Sequence, residues 1–169
     1  MFQGVNMNYL KVNTDDEITQ LADLASEIWH KYWPKILSPK QVDYMVAKFQ
    51  SYNAVKEQIE DEGYIYNIME YEGKNIGYFG VCPKDDYLFL SKIYIKDDFR
   101  GKKLGKEAFQ KIIDIAKEQN KKSIRLTVNK YNSDTIKTYE KWGFSTINDV
   151  VTDIGNDFVM DDYIMEYKL

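Results

Sequence analysis

Two rhythms of apolar and polar positions run along this chain, and the switches between them mark its elements. Residues 8–13 set Leu10 and Val12 against Tyr9 and Lys11, the period of an edge strand. Thr14-Asp-Asp-Glu17 has the threonine and glutamate, three apart, of a capping box. Ile18, Leu21, Ala25, Ile28, Trp29 and Tyr32 follow at helical spacing, and Trp33-Pro34 stops that helix because the residue before a proline is pushed out of the helical region. Pro39 suits the first turn of a second helix, with Val42, Met45, Val46 and Phe49 on its apolar face. Residues 51–62 predict a third, shorter helical piece ended by Gly63.

The rhythm then changes to period two. Residues 64–71 and 76–82 are strand-like runs around Glu72-Gly73-Lys74-Asn75, a hairpin signal. Pro83-Lys-Asp-Asp86 turns the chain into the third strand of a meander. In that strand the alternation slips: Leu88 and Leu90 keep period two, and so do Ile93 and Ile95, but the pairs are offset by one. One extra residue near Ser91–Lys92 puts both pairs on one face, which is the effect of a β-bulge. Leu104, Ala108, Ile112, Ile115 and Ala116 then mark an amphipathic helix to about residue 120. Ile124, Leu126 and Val128 alternate along an interior strand that a right-handed crossover makes parallel to the one before it. Asn132 or Ser133 caps a helix carrying Ile136, Tyr139 and Trp142 on one face and ended by Gly143. Residues 144–154 and 158–169 form a closing hairpin around Gly155-Asn156-Asp157. The order predicts an α+β fold, one mixed sheet of about seven strands flanked by helices. With no linker, repeat or low-complexity stretch, residues 1–169 are expected to form a single domain.

Composition narrows the function. A net charge of −4 disfavours nucleic-acid partners and draws cationic ones. Cys82 and His30 are the only residues of their types, which excludes an internal disulfide and a Cys/His metal cluster; no metal is expected. No apolar run is long enough to cross a membrane and the start of the chain lacks a signal-peptide pattern, so no membrane partner and a cytoplasmic location are expected. Residues 1–6 show no pattern, and Met7 is a candidate alternative start.

Against that acidic background Arg100, Lys102, Lys103 and Lys106 cluster where a strand passes into a helix, with Gly101 and Gly105 about the helix start. Free N–H groups at the positive end of a helix suit a phosphorylated ligand. The stretch is one residue short of a Walker A loop, has Glu107 where magnesium needs a hydroxyl, and lacks the dinucleotide fingerprint. Arg100-Gly-Lys-Lys-Leu-Gly105 instead resembles the pyrophosphate loop of the GNAT superfamily of acyl-CoA-dependent N-acetyltransferases, Gln/Arg-x-x-Gly-x-Gly/Ala, with Lys103 in place of the first glycine. Asn132-Ser-Asp-Thr-Ile-Lys-Thr-Tyr139-Glu-Lys141-Trp-Gly143-Phe144 resembles that family's Asn-x-x-Ala-x-x-x-Tyr-x-Lys-x-Gly-Phe, with Thr135 at the alanine position and Asn129 ending the strand before it. The element order is also that of the GNAT fold. Residues 28–51 are loosely similar to bacterial polyamine acetyltransferases.

The resemblance implies acetyl transfer from acetyl-CoA to a primary amine, with the central strand splayed from its neighbour. Pantetheine would pair with the backbone of Ile93, Tyr94 and Ile95, and the pyrophosphate would sit on the N–H groups from Lys102 through Leu104 and Gly105 to Lys106, beside Arg100 and Gly101. Asn129, Asn132 and Lys141 would complete the cofactor site, and Tyr139 would be the general acid for the departing thiolate. A phenol, with pKa about 10 against about 8.5 for a thiol, would relay a proton rather than lose it. The general base stays open: the strand offers Phe89 and Ser91 where many relatives carry glutamate. A water relay on Ser91 is one alternative, and Glu70, Glu72, Asp161 and Asp162 are others. His30 fits a packed or surface residue better. Trp29, Tyr32, Trp33, Tyr44, Met45 and Phe49 would line an acceptor pocket for a polyamine, another small amine or a peptide amine. Relatives are often dimers, so a homodimer is admitted. A CoA-binding regulatory module without turnover and a basic-loop nucleotide binder are the competing classes.

Overall fold

A computed structural model describes residues 7–169; residues 1–6 and the question of an alternative start lie outside them. The elements are β1 (Met7–Lys11), α1 (Asp15–Tyr32), α2 (Pro39–Phe49), α3 (Tyr52–Asp61), β2 (Ile65–Tyr71), β3 (Lys74–Pro83), β4 (Tyr87–Ile95), α4 (Leu104–Glu118), β5 (Ser123–Asn129), α5 (Ser133–Trp142), β6 (Ser145–Gly155) and β7 (Phe158–Lys168). They build one mixed seven-stranded sheet, ordered β1-β2-β3-β4-β5-β7-β6, in which only β4 and β5 run parallel.

Local chemistry accounts for the boundaries. Glu17 N–H donates to Thr14 Oγ1 at 3.2 Å and Thr14 N–H to Glu17 Oε1 at 3.0 Å, so the capping box closes α1 as its spacing predicts. Pro34 converts the end of α1 into a short 3₁₀ turn, Trp33–Lys35. Ser38 and Ser51 cap α2 and α3 through backbone N–H groups of Gln41 and Ala54. The β2–β3 turn is tighter than the four residues read from sequence. Glu72 and Gly73 alone take left-handed dihedrals, and β3 begins at Lys74.

Each face of the sheet has its own core. Phe79, Val81, Leu88, Leu90, Ile112, Leu126 and Met165 join the layer under α4 and α5. Leu21, Ile28, Trp29, Met45, Val55, Tyr66 and Tyr78 join the layer under α1, α2 and α3. The slip in β4 is the bulge its alternation predicts. Gly80 pairs with Lys92 and Val81 with Leu90, so Ser91 is the extra residue. Leu88 and Leu90 thereby share the α4–α5 face with Ile93 and Ile95, while Tyr94 is turned to the α1–α3 side.

Candidate active site

The site is made by a pairing that stops early. β4 and β5 are joined only at Tyr87–Ser123, Leu88–Ile124 and Phe89–Arg125. Beyond those, β4 stays with β3 as far as Ile95 and β5 stays with β7 as far as Asn129, so the sheet splits into a wedge. A cavity of about 1210 Å³ occupies it, bordered by the bulged strand, the start of α4, the end of β5, α5, and the ends of α1 and α2.

Ile93, Tyr94, Ile95, Arg100, Gly101, Lys103, Leu104, Gly105, Lys106, Asn129, Asn132, Tyr139 and Lys141 all border this cavity. Lys102 does not; it borders a smaller one shared with Arg100 and Tyr32, and its Nζ lies 5.5 Å from the Phe99 ring centroid. No side chain caps α4, so the first N–H groups of the helix are left without a partner inside it. Lys103, standing where the resembling loop has glycine, takes a left-handed conformation at φ 61° and ψ 17°. Gly105 serves packing as well: a Cβ there would come within 3.3 Å of the Trp142 ring, which lies flat on Phe109 at 5.0 Å.

Tyr32, the last residue of α1, moors the opposite wall. Its hydroxyl lies 2.8 Å from Thr135 Oγ1 and accepts from the Asn132 side-chain amide, while the Arg100 guanidinium sits 5.0 Å from its ring centroid. Asn132 therefore holds the N-cap position of α5 without capping it through its side chain. Tyr139 packs its ring on Trp142 and Phe144, at 5.5 and 5.7 Å. Burial, with Tyr32 nearby, pushes its phenol well above the ordinary range.

Of the acceptor-pocket residues, Trp29, Tyr32, Trp33, Met45 and Phe49 border the cavity. Tyr44 instead donates to the Ile154 carbonyl at 2.8 Å. Among the carboxylates, only Asp162 of those weighed from sequence reaches the main cavity. It is 6% exposed, its Oδ1 has no hydrogen-bond partner, and burial followed by repulsion from Asp161 raises its pKa to about 6. Asp161 is held by Lys130 at 3.0 Å, and Glu72 borders only the smaller cavity. His30 is a surface residue, 2.8 Å from both Asp43 Oδ1 and the Ser26 carbonyl.

Sequence reasoning passed over Lys92. The bulge turns it toward α3, where Nζ donates to Tyr66 Oη at 2.7 Å and lies 5.2 and 5.3 Å from the ring centroids of Tyr64 and Tyr66. Burial lowers its pKa to about 7. The available signal was a lysine directly after the slip in alternation, with two tyrosines two apart, Tyr64 and Tyr66, at the start of β2.

Residues 19–144 match the Acetyltransferase (GNAT) family. The uncharacterized N-acetyltransferase YjgM of Escherichia coli (strain K12) is 31% identical over 90 residues, 51% of this chain and 54% of that protein. The chain spans about half the length of the curated relatives it matches. Among solved structures, PaiA N-acetyltransferase from Thermoplasma acidophilum in complex with coenzyme A superposes with a TM-score of 0.79 at 20% identity, covering 98% of this chain and 100% of that one. The ribosomal-protein-S18-alanine N-acetyltransferase from Escherichia coli gives 0.67 at 18% identity, over 96% of this chain and 94% of that one. At those identities the likeness shows the fold. The family match adds the stretch that carries the bulged strand, the loop and α5: the chain belongs to the GNAT acetyltransferase family.

Proposed function

We propose that the protein transfers an acetyl group from acetyl-CoA to a primary amine by direct attack on the thioester. One observation carries this: the open wedge, the uncapped start of α4, Tyr139 and Asp162 border a single cavity. Pantetheine lies along the free edge of β4 at Ile93, Tyr94 and Ile95, and the pyrophosphate rests on the first N–H groups of α4 beside Arg100, Lys103 and Lys106. Lys102 adds charge from outside the cavity. Asn129, Asn132 and Lys141 border the cofactor's path, and the N–H freed at the bulge faces the thioester oxygen as charge develops on it. Tyr139 relays a proton to the sulfur. Asp162, buried and with one oxygen unpartnered, draws the acceptor's cation into the aromatic pocket of Trp29, Trp33 and Tyr94. The ribosomal-protein-S18-alanine N-acetyltransferase neighbour names one acceptor type, an alanine of a protein.

Thiol release from acetyl-CoA, followed over spermidine, lysine and a peptide beginning with alanine, tests this. Turnover with at least one of them is expected, together with stabilisation of the protein by acetyl-CoA through mass action. Stabilisation without turnover of any amine would favour a regulatory CoA-binding module, and competition by ATP alone would favour a nucleotide binder.

A further inference from the structure

We propose that Lys92 is the proton acceptor for the attacking amine. The inference rests on the acetyltransferase reading and adds the base that the motifs leave unassigned. Its geometry comes from a chain of hydrogen bonds that all run one way. Gln58 Nε2 donates to the Phe49 carbonyl at 3.0 Å, which leaves Gln58 Oε1 as an acceptor. Tyr66 Oη donates to that oxygen at 2.5 Å. The Tyr66 proton is thus committed, and its hydroxyl can only accept from Lys92 Nζ at 2.7 Å. Gln58 Oε1, 3.5 Å from Nζ, can likewise only accept. The wall behind Lys92 therefore takes N–H bonds and offers no proton, and the lone pair of the neutral amine is left for the cavity that Lys92 borders.

The surroundings favour the neutral amine. Tyr64 just before β2, Tyr66 of β2 and Gln58 of α3 face it, and none carries a negative charge near neutrality; both phenols are raised by burial. Glu62, at the end of α3, is the one carboxylate that acts on it, as the lesser influence against burial. The fold is shaped around this arrangement. Gly80, paired with Lys92 across β3 and β4, lies under the Tyr66 ring, where a Cβ would come within 2.6 Å of Cε1. Lys92 also follows the bulge residue Ser91, so its side chain leaves the strand beside the proposed thioester site.

The proton balance closes. The acceptor ammonium gives one proton to neutral Lys92, and its freed lone pair attacks the thioester carbonyl. As the C–S bond breaks, Tyr139 gives its proton to the sulfur and regains one from the new C–N nitrogen. Lys92 returns its proton to solvent, and the products are the acetamide and free CoA thiol. Asp162 holds the incoming cation rather than its proton.

Competitive labelling of the whole protein with trace acetic anhydride across pH, read at the Lys92 peptide by mass spectrometry, tests the amine without any turnover. A reactivity midpoint near that of a neutral-range base is expected, well below the other lysines; a midpoint with the bulk of them overturns the proposal even if the protein is an active transferase. The rate profile supplies the second arm. Lys92→Met and the permanently charged Lys92→Arg should lower kcat/KM by about 100- to 10,000-fold and abolish its rise through neutral pH, with acetyl-CoA binding retained. Asp162→Asn should raise the acceptor KM and keep that rise. If the rise survives in Lys92→Met and disappears in Asp162→Asn, Asp162 is the base and the proposal falls. Absence of turnover in the wild type would sink the transferase reading instead, leaving the labelling midpoint to decide whether Lys92 is a neutral-range amine.

Discussion

Replacing Lys92 with methionine should make the protein more stable, by an amount that depends on pH. An ordinary lysine titrates at 10.5, and burial brings Lys92 to about 7. The unfolded chain therefore holds this proton through a pH window in which the folded chain has released it, so wild-type stability rises with pH between about 7 and 10.5. Below pH 7 both states are protonated and the cost of the buried ammonium is fully present. At about 1.4 kcal/mol per unit of pKa difference, the ceiling is about 5 kcal/mol. Lys92 borders an open cavity whose water screens part of its charge, and about 2–3 kcal/mol is the expected change. Methionine keeps an apolar stem beside the Tyr64 and Tyr66 rings and does not titrate. The lost bond to Tyr66 works against the variant by about 1 kcal/mol, equally at every pH. Urea unfolding of both proteins at pH 6, 8 and 10 gives the difference directly, and titrations elsewhere cancel in it. The variant's advantage should be greatest at pH 6 and shrink by about 2–3 kcal/mol towards pH 10. Parallel stability curves would show that the amine keeps its ordinary affinity for protons, and the burial argument would be wrong.

Three further substitutions separate chemistry from packing. Tyr139→Phe keeps the ring against Trp142 and Phe144, so unfolding should shift by less than about 0.5 kcal/mol while kcat falls about 100- to 10,000-fold; undiminished kcat returns Tyr139 to a packing role. Lys103→Gly relieves a left-handed residue whose strain is about 1–2 kcal/mol, against about 0.5–1 kcal/mol of added chain entropy, and should raise the urea midpoint slightly; a lower midpoint refutes the strain. Tyr32→Phe strands the buried Asn132 amide and should cost about 1–3 kcal/mol in unfolding experiments, with acetyl-CoA affinity reduced as α5 loosens; neutral unfolding would show that the contact is dispensable.

What could be read in the sequence was what local rules control. A threonine and a glutamate three apart fixed the start of α1, and a one-residue slip in alternation placed the bulge near Ser91–Lys92, where the register of β3 and β4 singles out Ser91. The neighbours Gly101 to Lys106 were legible as a group, but not that Lys102 leaves it or that Gly105 receives Trp142. Such facts depend on how α5 settles on α4. Lys92 was illegible for the same reason on a larger scale: its neutrality depends on Gln58 and Tyr66, which reach it only after α3 packs on the sheet. The carboxylates looked equivalent as letters, and burial alone separates Asp162 from Asp161, Glu70 and Glu72.

The early parting of β4 and β5 has a cost that ordinary sheets avoid. It leaves two unpaired strand edges in the middle of the molecule, each a template onto which another chain could add. The wedge limits that hazard by its shape. An inserted strand needs about 4.8 Å on either side to bond both edges, and a gap that starts from nothing at Phe89 and Arg125 offers that width at one depth only. A polypeptide entering there could pair with one edge or clash with the other. A slender ligand with a few amides can follow one edge down to the apex, so the same taper that suits the proposed pantetheine arm discourages self-association through the sheet.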